Sequence, residues 1–433
     1  MFKRIKQLYT SNLLIKVTSF NTLIVFVKLI SGFVVSKVSA VYLGPSGYAL
    51  VGNFKNILQG VLGITVTGFE SGIIKYVSEN KTNKAKVNTV IANVCVFNLL
   101  ICCVLVLPIY FFSEIIAVYT LKDASFAYIF KYLAFLLPLI SFSFLIIYIV
   151  NGLQKFKLLS TLVVISNIFN ALTTFFLVYS YDLKGALFAS LLAPVFSLVS
   201  ILLFKEVRLL LFVAIRSFKK LSIKIIKGIS VYLFMAIYSS VLISLVYLLI
   251  RNAIIEDVDL VNAGYWEAVN KISMFYMVFF SSLFTIYLLP KLSENKTLFG
   301  YKNIMYDYFK LVIPLALVMF VVLFFLRHFV VKVFLSYEFE AVSKYFYLQF
   351  IGDFFKIVAF SLAYQFHAKR MVVAYFVCDA FLYCGFYIFS IILINGYDLY
   401  GVYYAYLLSV LLYLFVVSVF VFIKNKKYLK SEI

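Results

Sequence analysis

The sequence predicts an all-α polytopic membrane protein with about twelve transmembrane helices, arranged as two parallel-repeat six-helix halves around a central cationic cavity. Three observations carry that expectation. Of 433 residues, 64% are hydrophobic and 13% charged, with a mean hydropathy of +1.04. A soluble domain has about 45–50% apolar and about 25% charged residues. The apolar residues also fall in runs of roughly 20, the length a helix needs to cross the hydrocarbon core. Finally, short stretches of sequence recur in the two halves in the same order.

Taken in order, the predicted spans are 12–41, 48–77, 88–112, 125–150, 158–180, 185–204, 229–251, 264–290, 304–331, 345–367, 371–394 and 401–423. The basic stretch Met1 to Lys6 precedes a long apolar run with no small-residue cleavage site, so the first run is expected to stay as a span. With the N-terminus inside, the loops on that side hold roughly 24 Lys and Arg, against about 5 on the other. Both termini are therefore expected in the cytoplasm. Outward connections reach at most about a dozen residues, which leaves no outer domain of the kind a membrane glycosyltransferase or polymerase needs.

The longest connection is on the inner side. There Lys205, Arg208, Arg216, Lys219, Lys220, Lys224 and Lys227 alternate with Leu, Ile and Phe. Such a segment is expected to lie on the anionic leaflet as a basic amphipathic linker. It divides the chain into an N-terminal half over 1–204, the linker over 205–228, and a C-terminal half with a cytoplasmic tail over 229–433. The formal charge of +21 is thus spread through loops, and no basic face remains to grip nucleic acid. The five cysteines, Cys95, Cys102, Cys103, Cys378 and Cys384, all sit inside apolar runs. They offer neither a disulfide framework nor metal-ligand spacing, so no cofactor or metal is expected.

The internal repeat is local and ordered. Gly47-Tyr48-x4-Asn53 opens the second helix and Gly264-Tyr265-x4-Asn270 the eighth. The same helices close with Ser78-Glu79-Asn80-Lys81 and Ser293-Glu294-Asn295-Lys296. Matches in one direction, six helices apart, predict a parallel repeat about an axis normal to the membrane.

Charges inside the spans point to a site. A Lys at a helix centre costs about 2.5–3.5 kcal/mol on insertion scales. Lys16, Lys75, Lys310 and Arg327 lie near enough to helix ends to snorkel, whereas Lys28 does not. Asn21, Lys28, Ser31, Gly32 and Ser39 share one helical face. A second stripe runs through Gly52, Asn56, Gln59, Gly63, Thr67 and Glu70, with Lys55 on its flank. Close packing of small residues would explain much of that stripe, and Glu70 favours a cavity instead. Glu267 with Lys271, and Asp353 with Lys356, have the spacing of self-neutralising pairs. Asp379 has no basic residue one turn away. Subtracting the pairs leaves net positive charge, which suits an anionic ligand such as a phosphate.

Several motifs then resemble a known family. Tyr42-Leu43-Gly44-Pro45-x-Gly47 with Gly52-Asn53-Phe54 is similar to the start of O-antigen and enterobacterial-common-antigen flippases. These belong to the multidrug/oligosaccharidyl-lipid/polysaccharide exporter superfamily. The likeness continues through Lys75-Tyr76-Val77, Gly264-Tyr265-Trp266, Lys271-Ile272-Ser273, Leu288-Leu289-Pro290-Lys291-Leu292-Ser293, Gln349-x-Ile351-Gly352-Asp353-x-Phe355-Lys356 and Tyr364-Gln365.

The resemblance implies undecaprenyl-pyrophosphate-linked glycan as substrate, moved from the cytoplasmic to the periplasmic leaflet by alternating access of the two halves, in the bacterial inner membrane. It implies as partners the membrane lipids, a polysaccharide polymerase and a chain-length regulator. By position, Lys28, Lys55 and Lys271 are candidates for pyrophosphate or glycan contact. Asn53, Gln59 and Asn270 are candidates for sugar hydrogen bonds, and Glu70, Asp353 and Asp379 for proton or sodium coupling.

Two other readings compete. A drug exporter of the same superfamily calls for an acidic cavity, the opposite of the balance here. A carrier-lipid enzyme finds its one supporting feature in Asp257-Val258-Asp259, an acidic pair on an outward loop.

Overall fold

A backbone in hydrocarbon must satisfy its N–H and C=O groups within the segment, so long apolar runs leave the chain little choice but helix. The computed structural model describes residues 13–216, 223–295, 297–369 and 371–432. The basic Met1–Lys6 stretch and the linker residues Lys219 and Lys220 lie outside them. The described residues form α1 (Leu13–Thr65), α2 (Glu70–Glu79), α3 (Lys84–Phe111), α4 (Ser113–Leu121), α5 (Ala127–Gly152), α6 (Phe156–Leu202) and α7 (Lys205–Arg216). They continue with α8 (Ile223–Asp257), α9 (Leu260–Leu283), α10 (Leu289–Glu294), α11 (Leu298–Phe325), α12 (Arg327–Phe334), α13 (Phe346–Ala368) and α14 (Val372–Glu432).

Among the described residues, 9 helical stretches are long and apolar enough to cross a membrane. Three of them are two rods joined at a non-helical residue: α1 at Gly44, α6 at Tyr181 and Asp182, and α14 at Asp398. Counting rods, the twelve predicted spans are all present.

The chain forms two compact units. The first comprises Met1–Leu43 and Asn53–Ser244, the second Gly44–Gly52 and Leu245–Ile433. The sequence places the end of the first half at 204, just before the linker. In the structure α8 is one unbroken helix, and the first unit runs on into it as far as Ser244.

In the first unit, Ile146 and Val150 of α5, Leu159, Leu162, Leu198 and Ile201 of α6, and Val207 of α7 form one apolar cluster. That cluster pins the start of α7, and Lys155 adds an ion pair to Glu206 at 2.7 Å. Leu209 and Phe212 on α7 remain exposed. Between α1 and α2 the helix breaks at Val66, and a short 3-10 turn, Thr67–Phe69, intervenes. The Thr65 carbonyl receives the Asn98 amide of α3 at 2.7 Å, and Asn98 also donates to Ser141 of α5 at 2.6 Å. The carbonyl exposed by the break is thereby satisfied.

In the second unit, the rod beginning at Pro45 packs on α9. A Cβ on Gly264 would strike the Pro45 carbonyl, so only glycine allows that approach. Gly44 holds φ +60°, the left-handed region that favours glycine. Tyr48 and its repeat partner Tyr265 both meet Phe339 edge-on, with ring centroids 5.5 and 6.1 Å away.

The repeat extends beyond the motifs seen in sequence. After its second spanning rod each half follows the same order: a long helix, a short helix, a 3-10 turn and another long helix. In the first half these are α3, α4, Ala124–Phe126 and α5, and in the second α11, α12, Tyr337–Tyr345 and α13. The interruption at Thr67–Phe69 is matched by a π-helical turn at Phe284–Leu288. The bends also repeat. Tyr181-Asp182-Leu183-Lys184-Gly185 and Tyr397-Asp398-Leu399-Tyr400-Gly401 each put the Asp at positive φ, 46° and 47°. In each the chain doubles back so sharply that a Cβ on the glycine would meet a leucine carbonyl, of Leu177 or Leu393.

Candidate functional site

The first unit encloses a cavity of about 490 Å³, within the usual size range of small-ligand sites. Lys28, Lys55 and Gln59 of α1 and Glu70 of α2 line it, so the structure brings these four predicted residues together. The broken helix explains Glu70. Because α2 begins afresh there, the carboxylate sits in the first turn, where the helix dipole favours negative charge. The Tyr148 hydroxyl of α5 donates to it, and Lys28 is the cation acting on it. Lys28 is exposed although it lies midway along a spanning rod, which a hydrated cavity accounts for. Two lysines and one carboxylate leave the charged lining net positive. The two rods of α6 complete the cavity with Ser166, Asn167, Asn170, Thr174, Ser190 and Ser197.

Asn53 lies apart from this lining. It is fully buried, and its amide donates to the Thr120 carbonyl at 2.9 Å, bracing α1 against α4. Lys131 is exposed, with its amine 5.8 Å from the Tyr110 ring centroid.

The remaining candidates belong to the second unit. Asp353 is 0% exposed and accepts hydrogen bonds from Ser273 at 2.6 Å, from Gln349 at 3.1 Å, and from the hydroxyls of Tyr276 and Tyr406. These groups replace the ion pair expected with Lys356, whose amine instead lies over the rings of Phe360 and Tyr406, at 5.6 and 5.4 Å.

The expected Glu267–Lys271 pair is present and is joined by a third group. Glu267 bonds the Arg251 guanidinium, and Lys271 stands 3.8 Å from its other oxygen. Arg251 is completely buried, with its guanidinium 5.2 Å from the Trp266 ring centroid. Sequence reasoning missed it by ending the seventh span at 251. The signal was there, since Ala253, Ile254 and Ile255 carry the apolar run past it. Asn270 donates to its own helix, at the Trp266 carbonyl, 2.9 Å away. Asp379 is buried near Tyr383 and Tyr413. The acidic stretch Asp257-Val258-Asp259 ends in a helix cap: Asp259 accepts from the Asn262 backbone N–H at 2.6 Å and its side-chain amide at 2.7 Å. Among the described residues no cluster of three or more metal-ligating side chains occurs.

Long apolar helices, with a polar, net-cationic cavity in the first unit, define an all-α, multi-pass membrane protein. A family model described as "Polysaccharide biosynthesis protein" matches residues 14–296. The chain belongs to that family. It is 24% identical over 397 residues to the Lipid III flippase of Escherichia coli (strain K12), covering 89% of this chain and 93% of that protein. The Lipid III flippase of Shigella flexneri matches to the same extent.

Among solved structures, an inward-facing multidrug resistance MATE family transporter of the MOP superfamily superposes with a TM-score of 0.78. That match has 14% identity over 94% of this chain and 96% of the other. The Lipid II flippase MurJ, in an inward closed conformation, gives 0.66 at 19% identity over 93% and 86%. At these identities the two structures establish the fold alone.

Proposed function

We propose that this chain is a flippase for a lipid-linked oligosaccharide, carried on undecaprenyl pyrophosphate from the cytoplasmic to the periplasmic leaflet of a bacterial inner membrane. The chain is a transporter and not an enzyme, in keeping with the flippases it is related to along most of its length. The observation that carries the substrate reading is the first-unit cavity, where Lys28 and Lys55 stand among neutral polar side chains. Lysine is a compact point-charge partner for phosphate, and amides and hydroxyls suit sugars. A drug exporter selecting cations would be poorly served by that charge balance.

Within this reading Lys28 and Lys55 of the first unit hold the pyrophosphate, and Lys271 is the second unit's own candidate for glycan contact. Gln59 takes a sugar hydroxyl, as does Asn270. Glu70, Asp353 and Asp379 take up the coupling proton or sodium ion, since carboxylates placed within spans mark such relays. The two halves alternate in access, with both termini in the cytoplasm and the α7 segment on the inner leaflet. A polysaccharide polymerase and a chain-length regulator receive the product. The repeat unit of an O-antigen-like surface polysaccharide is the cargo.

The test is deletion of the protein in its host, with the lipid-linked intermediate assayed on each leaflet. Complete repeat units should accumulate on the cytoplasmic leaflet. Single units reaching the outer leaflet but staying unpolymerised would move the protein to a later step.

A further inference from the structure

We propose that the two rods of α6 form a sugar-reading wall that selects for hydrogen-bond donors on the glycan next to the pyrophosphate, an inference that rests on the flippase reading above. The cavity lining is divided by chemistry. Its charged residues, Lys28, Lys55 and Glu70, come from α1 and α2, while every polar side chain that α6 contributes is neutral.

The hydrogen bonds within α6 decide what that neutral surface can do. Ser166 donates to the Leu162 carbonyl at 2.8 Å, Ser190 to Ala186 at 3.0 Å, and Ser197 to Pro194 at 2.7 Å. The Asn167 amide nitrogen donates to Val163 at 2.8 Å. A hydroxyl has one proton and two acceptor lone pairs. Each serine has therefore used its proton on its own helix and turns acceptor capacity to the cavity. The Asn167 side-chain oxygen adds another acceptor. Asn170 and Thr174 and the second Asn167 N–H still offer donors, so the wall is mixed, with its surplus of acceptors coming from the three serines. Pyrophosphate, which only accepts, is better matched by the lysines, which only donate. Sugar hydroxyls and acetamido N–H groups are donors, and they fit the surplus acceptors of the wall.

A separate observation points the same way. Ser39 of α1 lines the same cavity, is 3% exposed, and its hydroxyl has no hydrogen-bond partner among the described residues. A buried polar group left unpaired is costly, so a bound polyol is a natural partner for it. The site thus holds the anionic part of its ligand at Lys28 and Lys55 and offers the donor-bearing part the α6 serines, with Ser39 of α1 beside them.

The test uses the full-length protein in lipid nanodiscs and three probes. These are bare undecaprenyl pyrophosphate, the same lipid carrying one N-acetylhexosamine, and that glycolipid with its sugar hydroxyls methylated. The wild-type protein should bind the free sugar at least about tenfold more tightly than the bare or methylated lipid. In Asn167→Ala, and in the double variant Ser190→Ala/Ser197→Ala, that ratio should fall toward one. A wild-type protein that treats methylated and free sugar alike would overturn the inference. So would variants that weaken all three probes in parallel, since the wall would then only hold the fold. Failure of the wild-type protein to bind any of the three would bring down the flippase reading itself, and this inference with it.

Discussion

At the scale of single residues, the buried charges set the sharpest expectations. Arg251 and Glu267 neutralise each other in full burial. Removing one partner strands the other, which typically costs about 3–5 kcal/mol, whereas replacing both by apolar groups is often neutral. Arg251→Ala should therefore lower the thermal stability of the detergent-solubilised protein strongly. Arg251→Met with Glu267→Leu should recover most of it, as read by fluorescence-detected size exclusion after heating. Lys28 behaves differently because it faces the cavity and supports no buried partner of that kind. Lys28→Ala should abolish export of the surface polysaccharide while leaving membrane insertion and thermal stability near wild type. Normal export by that variant would remove Lys28 from the mechanism.

Lys28, Lys55, Gln59 and Glu70 were legible in the sequence because they lie on helical faces that a single-span projection exposes. The partners of Asp353 were not. Its donors Ser273, Tyr276 and Tyr406 lie 80, 77 and 53 residues away, and no local spacing rule links them. The rule instead offered Lys356, the nearest opposite charge in sequence.

At the scale of elements, the bends and breaks matter most. Asp182 and Asp398 occupy φ near +46° with ψ −125° and −136°. A β-branched side chain in such a region costs on the order of 1–3 kcal/mol. Asp398→Val should lower the melting temperature, and Asp398→Gly should hold or raise it. The same pair of changes at Asp182 should give the same signs, because the two bends repeat one another. The break ahead of α2 is braced by Asn98, whose replacement by Leu leaves the Thr65 carbonyl buried without that donor. Asn98→Leu should cost about 1–3 kcal/mol and reduce export beyond the loss of protein, since Glu70 is placed by that break. A drop in export that only tracks protein abundance would limit Asn98 to a packing role.

The repeat was legible where it showed as Gly-Tyr and Ser-Glu-Asn-Lys matches. The Tyr-Asp-Leu-x-Gly pair was equally visible in the letters. It went unread because its meaning is a backbone angle and a carbonyl contact, and neither has a side-chain signature. The number and order of the spans were legible because apolar length is itself the physical requirement, while their ends and breaks, as at Val66 and beyond Arg251, were not.

At the scale of the whole molecule, orientation is the most direct expectation. The described residues contain only free cysteines, so a cysteine-free background can be built without breaking a cross-link. In that background Ala124→Cys should react with an impermeant maleimide on intact spheroplasts, and Ser293→Cys only after the membrane is opened. The reverse pattern would invert the protein and the direction of transport proposed for it. Fold class was legible at this scale because composition alone forces helices. How the polar lining divides between α1 and α6 was not, because it depends on which protons the serines have already spent.

That division also sets the terms for a competitive blocker. The first-unit cavity asks for an acidic head to meet Lys28 and Lys55. It asks for a rim of hydroxyl or amide protons for α6 and a lipophilic flank for Val35, Leu58, Leu62 and Val163. A scaffold that carries a basic amine and ether oxygens would meet the wrong partner on both polar sides. Phosphonate-bearing N-acetylated sugar mimics are the chemical series in which to begin a screen.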